Sequence, residues 1–255
     1  MPVLKRVGIW AAAVAMCLVP LVSSAMSVQP VVIDMTTTGR TATATVTVEN
    51  SFTTPLPVEL TVQELTFNED GVVPTGVDPG DLLVFPPQAI IPPGGTQSFR
   101  LQWVGDPEIA RSKHYYVTVA QLPVQLAEGQ SGIQILYNFQ TVVSVAAPGK
   151  QSQLSVISAA TANVDERIGV SVVIRNDGET YDYLSRRRVT ITMKDSTNAK
   201  IFERTLPGAE IQQVVGFGLI GPETQRRLFI PLDLPQSNGA IVAGAVTVEL
   251  SDERD

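Results

Sequence analysis

Residues 41–50 read TATATVTVEN. Apolar and polar residues alternate at every second position, which in a strand puts each set on its own face of a sheet and in a helix would smear both around the axis. The same pattern recurs at PVELTVQEL, SFRLQWV, HYYVTVAQL, VSVVIRN, RVTITMK, RRLFIPL and AVTVEL, and in the uncharged run SGIQILYNFQTVVSVAAP at 131–148. Between these lie breakers: Thr54-Pro55, Asp78-Pro79-Gly80, Pro86-Pro87, Pro92-Pro93-Gly94-Gly95, Asn176-Asp177-Gly178, Pro207-Gly208 and Gly221-Pro222. No long amphipathic helix is evident, and residues 106–112 predict a single turn at most. Many short strands with regular turn signals predict an all-β chain of antiparallel sandwiches.

The chain opens MPVLKRVGIWAAAVAMCLVPLVSSAM, with Lys5 and Arg6 ahead of an apolar run and small residues Ser23 and Ala25 placed for cleavage. This is the pattern of a secretory signal peptide over residues 1–25, with an uncleaved anchor as the other reading. The only cysteine, Cys17, lies inside it, so the exported chain relies on core burial without disulfides. Losing Lys5 and Arg6 takes the formal charge from -7 to -9, which argues against a nucleic-acid partner. The run Arg186-Arg187-Arg188 reads as a solvated strand or loop end. The linker-like Ala147-Pro148-Gly149-Lys150-Gln151 divides the remainder into 27–148 and 149–255, each close to the roughly 100 residues of one immunoglobulin-like sandwich.

Catalytic chemistry finds little to work with. His114 is the sole histidine, and no GxSxG, HExxH or glycine-rich phosphate loop is present. His114 at a strand start reads as a surface or packing residue, and Glu69-Asp70 and Asp165-Glu166 read as solvated turn charge. The chain is expected not to be an enzyme and to need no cofactor or metal.

Residues 81–103, DLLVFPPQAIIPPGGTQSFRLQW, resemble a segment of the PapD-like periplasmic pilus chaperones: a strand reaching a Pro-Pro pair (Pro86-Pro87), a Pro-Gly turn (Pro93-Gly94) and a strand carrying an arginine (Arg100). RSKHYYVTVAQLPV at 111–124 is similar to that family's next strand, and the uncharged run at 131–148 matches the long last strand of its first domain. VIRNDGETYDYL at 173–184 resembles, more weakly, a strand turn of its second domain. The resemblance implies a boomerang of two immunoglobulin-like sandwiches that binds pilus or surface-fibre subunits in the periplasm and passes them to an outer-membrane usher. Ile133, Ile135, Tyr137 and Phe139 would fill the groove of a subunit lacking its own last strand, while 141–145 stays in the protein's own sheet. From 133 to 145 an extended strand reaches roughly 40 Å, enough to serve both roles. Such an open edge is an aggregation hazard, so self-association of the free protein is also expected.

The chain departs from the family at the cations that hold a subunit's carboxylate. Its first strand, VQPVVIDM, carries no Arg or Lys, and Val142 or Val143 stands where a lysine would lie. By sequence, Arg100, Arg111 and Lys113 are the candidate substitutes. The family's Arg-Glu-Ser motif reads Arg111-Ser112-Lys113, and the arginine before the linker proline is Ala147, so an interdomain bridge is expected to be dispensed with. These departures resemble the archaic or alternative chaperone–usher branches. Two other readings compete: a two-sandwich fibre subunit or adhesin, and a sugar- or peptide-binding accessory module, for which Trp10 and Trp103 offer little aromatic platform.

Overall fold

The computed structural model describes residues 25–123, 135–237, 240–241 and 244–252. The proposed signal peptide lies outside these residues except for Ala25.

In the first half, β1 (Met26–Gln29), β3 (Thr43–Asn50), β8 (Thr96–Trp103) and β6 (Leu82–Phe85) form a four-stranded sheet in the order β1-β3-β8-β6. Facing it are β2 (Val32–Thr36), β10 (Asn138–Ala146), β9 (Lys113–Gln121), β4 (Leu56–Asn68) and β5 (Gly71–Pro74), in that order, with β7 (Gln88–Ile91) paired to β4. The inward residues of the alternating strands make the core. Val46, Val48, Phe99 and Leu101 from one sheet meet Val58, Tyr115, Val117, Val119, Val143 and Val145 from the other, all fully buried. Fully burying a side chain of this size is worth about 1.5–3 kcal/mol, so the alternation itself specifies which face turns inward.

The first strand of this sandwich changes sheets. Residues 26–29 pair antiparallel with β3, whereas residues 32–36 run parallel to β10. Pro30 sits at the switch and has no amide hydrogen to give to either ladder.

The second half repeats the plan with β11 (Leu154–Val164), β12 (Arg167–Asn176) and β17 (Thr224–Pro231) in one sheet. A second sheet holds β15 (Lys200–Leu206), β14 (Arg187–Lys194) and β20 (Ala245–Asp252). Short pairs join β13 (Asp182–Tyr183) to β16 (Leu219–Ile220), and β18 (Gln236–Ser237) to β19 (Ala240–Ile241). Val170, Val172, Ile174, Val189, Ile191 and Met193 fill the space between its sheets. The protein is therefore two all-β sandwiches.

Each segment read as a strand from alternation contains one, though the run at 131–148 is strand only over 138–146, with 135–137 irregular and 131–134 outside the described residues, and the strand of 41–50 starts at Thr43. Residues 106–112 make no helix; Asp106 Oδ1 instead accepts the Glu108 amide at 2.8 Å, a local turn that leaves Ile109 free to be buried. The one α-helix among the described residues, α1 (Gly208–Val214), starts where a breaker was read. Pro207 ends β15 because it cannot donate to a ladder, yet its carbonyl accepts the amides of Glu210 (2.9 Å) and Ile211 (3.1 Å), which begins the helix with Ile211 in the core.

Candidate functional site

Strand β10 has neighbours of unequal length. On one side it pairs with β9 from Asn138↔Ala120 to Val145↔Lys113. On the other it pairs with β2 only from Val142↔Val32 to Ala146↔Thr36. That ladder begins where Val142 donates to the Val31 carbonyl (3.0 Å) and the Thr141 hydroxyl donates to the Pro30 carbonyl (3.0 Å). Because the first strand leaves for the other sheet at Pro30, residues 138–140 keep an edge with no paired strand among the described residues.

The side chains of β10 follow its pleat. Val143 and Val145 are fully buried in the first core, and Phe139 is half-buried against it. Ile135 and Tyr137 share that parity but lie beyond the sheet, 69% and 39% exposed, beside Leu136 at 44%. Exposed apolar side chains of this size on an open edge are what strand addition consumes. Of the residues expected to be lent to a partner, Phe139 is already paired with Val119 in the protein's own sheet, and Ile133 lies outside the described residues.

The three cations singled out by sequence are not brought together. Arg100 on β8 opposes Thr45 and Phe85 and is exposed on the outer face of the four-stranded sheet, the sheet that does not contain β10. Arg111 is paired with Glu223 and Lys113 with Asp81, which also accepts the Tyr115 hydroxyl at 3.0 Å. Two cations missed by sequence lie where the halves meet. Arg186 pairs with Asp34 and stacks 4.5 Å above the Tyr183 ring. Arg226 donates from Nη1 to the Leu219 carbonyl (2.6 Å), while its Nε is buried with no protein partner. Burial holds the Arg226 guanidinium below its ordinary pKa. A Cβ on Gly71 would stand 3.3 Å from its Nη2, so the glycine leaves the arginine its place.

The interdomain bridge is not dispensed with but rebuilt from other residues. Arg111–Glu223, Arg186–Asp34 and Arg227–Glu69 all join the first half to the second. Arg186, though half exposed, and Arg187 are therefore paired rather than merely solvated; Arg187 pairs with Asp182 and Asp252. Glu69 is not free turn charge either, since it also accepts from Gln225, and its carbonyl takes the Arg227 amide at 2.6 Å.

At the centre Asp34 accepts the hydroxyls of Tyr181 (2.7 Å) and Tyr183 (3.0 Å). Burial first, then the Asp34 carboxylate, drives the Tyr181 hydroxyl far above its ordinary pKa, and burial raises Tyr183. His114 is a packing residue. Its ring nitrogens lie 2.9 Å from Ser144 Oγ and 3.1 Å from Ser112 Oγ, and it meets Phe67 and Tyr181 edge-on at 4.8 and 5.2 Å. With no carboxylate beside it, burial lowers its pKa to about 3 and keeps it neutral. Beside this network a cleft of about 330 Å³ is lined by Val31, Asp34, Tyr183, Arg186 and Phe217.

Signals for this interface were faint: Tyr181 and Tyr183 alternate like any strand residues, and Asp34 looks like one polar position in β2. Among the described residues no group of His, Cys, Asp and Glu is placed to hold a metal, and no helix is long and apolar enough to cross a membrane.

Two packed sandwiches, the first with its last strand half uncovered, define a strand-presenting β-sandwich fold. Solved structures share it. A class 5 fimbriae chaperone, CfaA, superposes with a TM-score of 0.52 at 13% identity over 89% of this chain and 98% of its own. A chain of the CsuC–CsuE chaperone–tip subunit pre-assembly complex, from archaic chaperone–usher pili of Acinetobacter baumannii, gives 0.50 at 11% identity over 88% and 97%. A chain of the Salmonella enterica complex of SafA pilin with the SafB chaperone gives 0.51 at 14% identity over 81% and 84%. No protein-family model and no curated protein sequence matches the chain. At these identities the likeness is one of fold.

Proposed function

We infer that the protein is a periplasmic chaperone that holds pilus or surface-fibre subunits by donor-strand complementation and hands them to an outer-membrane usher. It has no catalytic role in this reading, and residues 1–25 are a cleaved export signal. The observation that carries it is the uncovered edge of β10, ending where the first strand departs at Pro30 and continued by exposed Ile135 and Tyr137. A subunit strand seated in the lane vacated by β2 would take ladder hydrogen bonds from 135–140 and bury those side chains. The fold of chaperones found with pilins and tip subunits supports the same reading. Residues 27–148 form the subunit-binding domain and 149–255 the second domain, a division supported by two separate cores, one ending at Ala147 and the other with no residue before Leu154.

The competing subunit or adhesin reading calls for a sandwich missing its last strand. Here β10 and β20 occupy those places, which favours the lender over the borrower.

Co-expression of the exported chain with secreted fimbrial subunits of its own source should yield a stable one-to-one complex. Ile135→Asp and Tyr137→Asp should each abolish it, because burying either native side chain contributes about 1.5–3 kcal/mol and a carboxylate in its place would be buried without a partner. Complexes that survive both substitutions would refute donor-strand capture. Sedimentation of the free chain would reveal whether the same edge mediates self-association.

A further inference from the structure

Tyr137 has no covering strand among the described residues, yet it is not loosely held. The Gln121 amide donates to the Tyr137 carbonyl at 2.9 Å, and the Gln121 side-chain oxygen accepts the Tyr137 amide at 3.4 Å. Its ring lies against Phe52, with centroids 6.0 Å apart and planes tilted by 37°, inside the range in which aromatic pairs attract. Phe52 belongs to the connection between β3 and β4 and also packs against the first core.

That connection is held from below by Asn50, which is fully buried. Asn50 Nδ2 donates to the carbonyls of Thr54 (2.9 Å), Ile91 (3.0 Å) and Pro92 (3.1 Å), and its Oδ1 accepts the Phe52 amide at 2.9 Å. Its backbone amide and carbonyl are tied to Gly95 and Gly94 at 2.9 and 2.8 Å. Asn176 holds the matching connection of the second sandwich in the same way, so Asn50 fixes the backbone of this connection and with it the place from which Phe52 reaches Tyr137.

The geometry points to Phe52 as a positioning residue that sets Tyr137 as a preformed aromatic wedge, and so to a partner whose groove carries an apolar pocket for a ring at this position. The inference rests on the donor-strand reading and deepens it. A ring already immobilised in the free protein loses less freedom on binding, so the support strengthens capture without touching the partner's backbone. Ile135, which has no such support among the described residues, acts through its apolar area.

The test is a double-mutant cycle on the complex formed with a co-purifying fimbrial subunit, using Phe52→Ala, Tyr137→Ala and both together. Phe52→Ala should weaken capture by about three- to tenfold when Tyr137 is present and by under about twofold when it is already alanine. Phe52→Tyr should restore capture, and hydrogen exchange of the Tyr137 amide in the free protein should quicken in Phe52→Ala only. Equal losses in both backgrounds would make Phe52 a core residue and overturn the inference. If Ile135→Asp and Tyr137→Asp abolish capture while Phe52→Ala captures like wild type, this inference alone fails. If they leave capture intact, the functional reading fails with it.

Discussion

Replacing Asp34 by alanine takes away the acceptor on which the two halves converge. Tyr181 and Tyr183 are 8% and 2% exposed, and both donate to the same carboxylate oxygen. Tyr183 retains a contact of 3.4 Å to the Ser144 hydroxyl, whereas the Tyr181 hydroxyl has no second acceptor among the described residues. A buried donor left without a partner costs about 1–3 kcal/mol, so Tyr181 contributes most of the loss and Tyr183 part of it. The Arg186 pair adds little: its side chains are 51% and 39% exposed, and pairs of that kind are worth about 0–1 kcal/mol. The sum is a destabilisation of about 2–4 kcal/mol, concentrated on the contact between the sandwiches. Urea unfolding of the exported chain, followed by fluorescence of Trp103 and by circular dichroism, gives the stability, and small-angle scattering gives the separation of the halves. Asp34→Asn keeps an acceptor oxygen and should lose clearly less than Asp34→Ala. A loss below about 0.5 kcal/mol for Asp34→Ala, with an unchanged scattering profile, would show that Asp34 does not hold the halves together.

The remaining predictions concern pH and one turn. The unfolded chain protonates His114 below about 6.5, while the folded chain does not until about 3, so its contribution to stability is complete above pH 6.5 and lost as pH falls between those values. The slope it adds is about 1.4 kcal/mol per pH unit, and urea midpoints from pH 7 to 4.5 should fall less steeply in His114→Gln; parallel curves would reject the assignment. Asp165 and Glu166 join β11 to β12 with φ of 48° and 62°, the left-handed pair of a type I′ turn. Asn-Gly at these positions should stabilise the chain by about 1 kcal/mol and raise its melting temperature by about 2–4 °C; a lower melting temperature would contradict the turn geometry.

Legibility in the sequence tracked how local the cause was. The strand of 41–50 was plain because alternation, β-branched residues and the bracketing turns all agree. β11 escaped notice although it has 11 residues, since Ser, Ala and Thr give it neither strong alternation nor a deep core face, and its burial pattern is mostly intermediate or exposed. The helix after Pro207 hid for a related reason: it is only seven residues long and holds one large core side chain, Ile211. At the edge of β10, alternation alone fits a core strand as well as a lent one; the division between 141–145 in the protein's own sheet and the apolar residues before it came from the family resemblance, because a period of two does not say where a strand's neighbour ends.

What the sequence by itself determined is thus most of the strand content, the presence of two sandwiches and an uncharged last strand in the first of them, because each follows from side-chain period and from residues adjacent along the chain. Where that strand stops being covered was decided only in three dimensions, by the crossing of the first strand between sheets at Pro30. The same holds for the interface. Asp34 meets Tyr181 and Tyr183 across separations of 147 and 149 residues, and Glu69 meets Arg227 across 158. No period or motif encodes partners so far apart; they are set by how two finished sheets pack, and a cation or carboxylate can serve from either side of that contact.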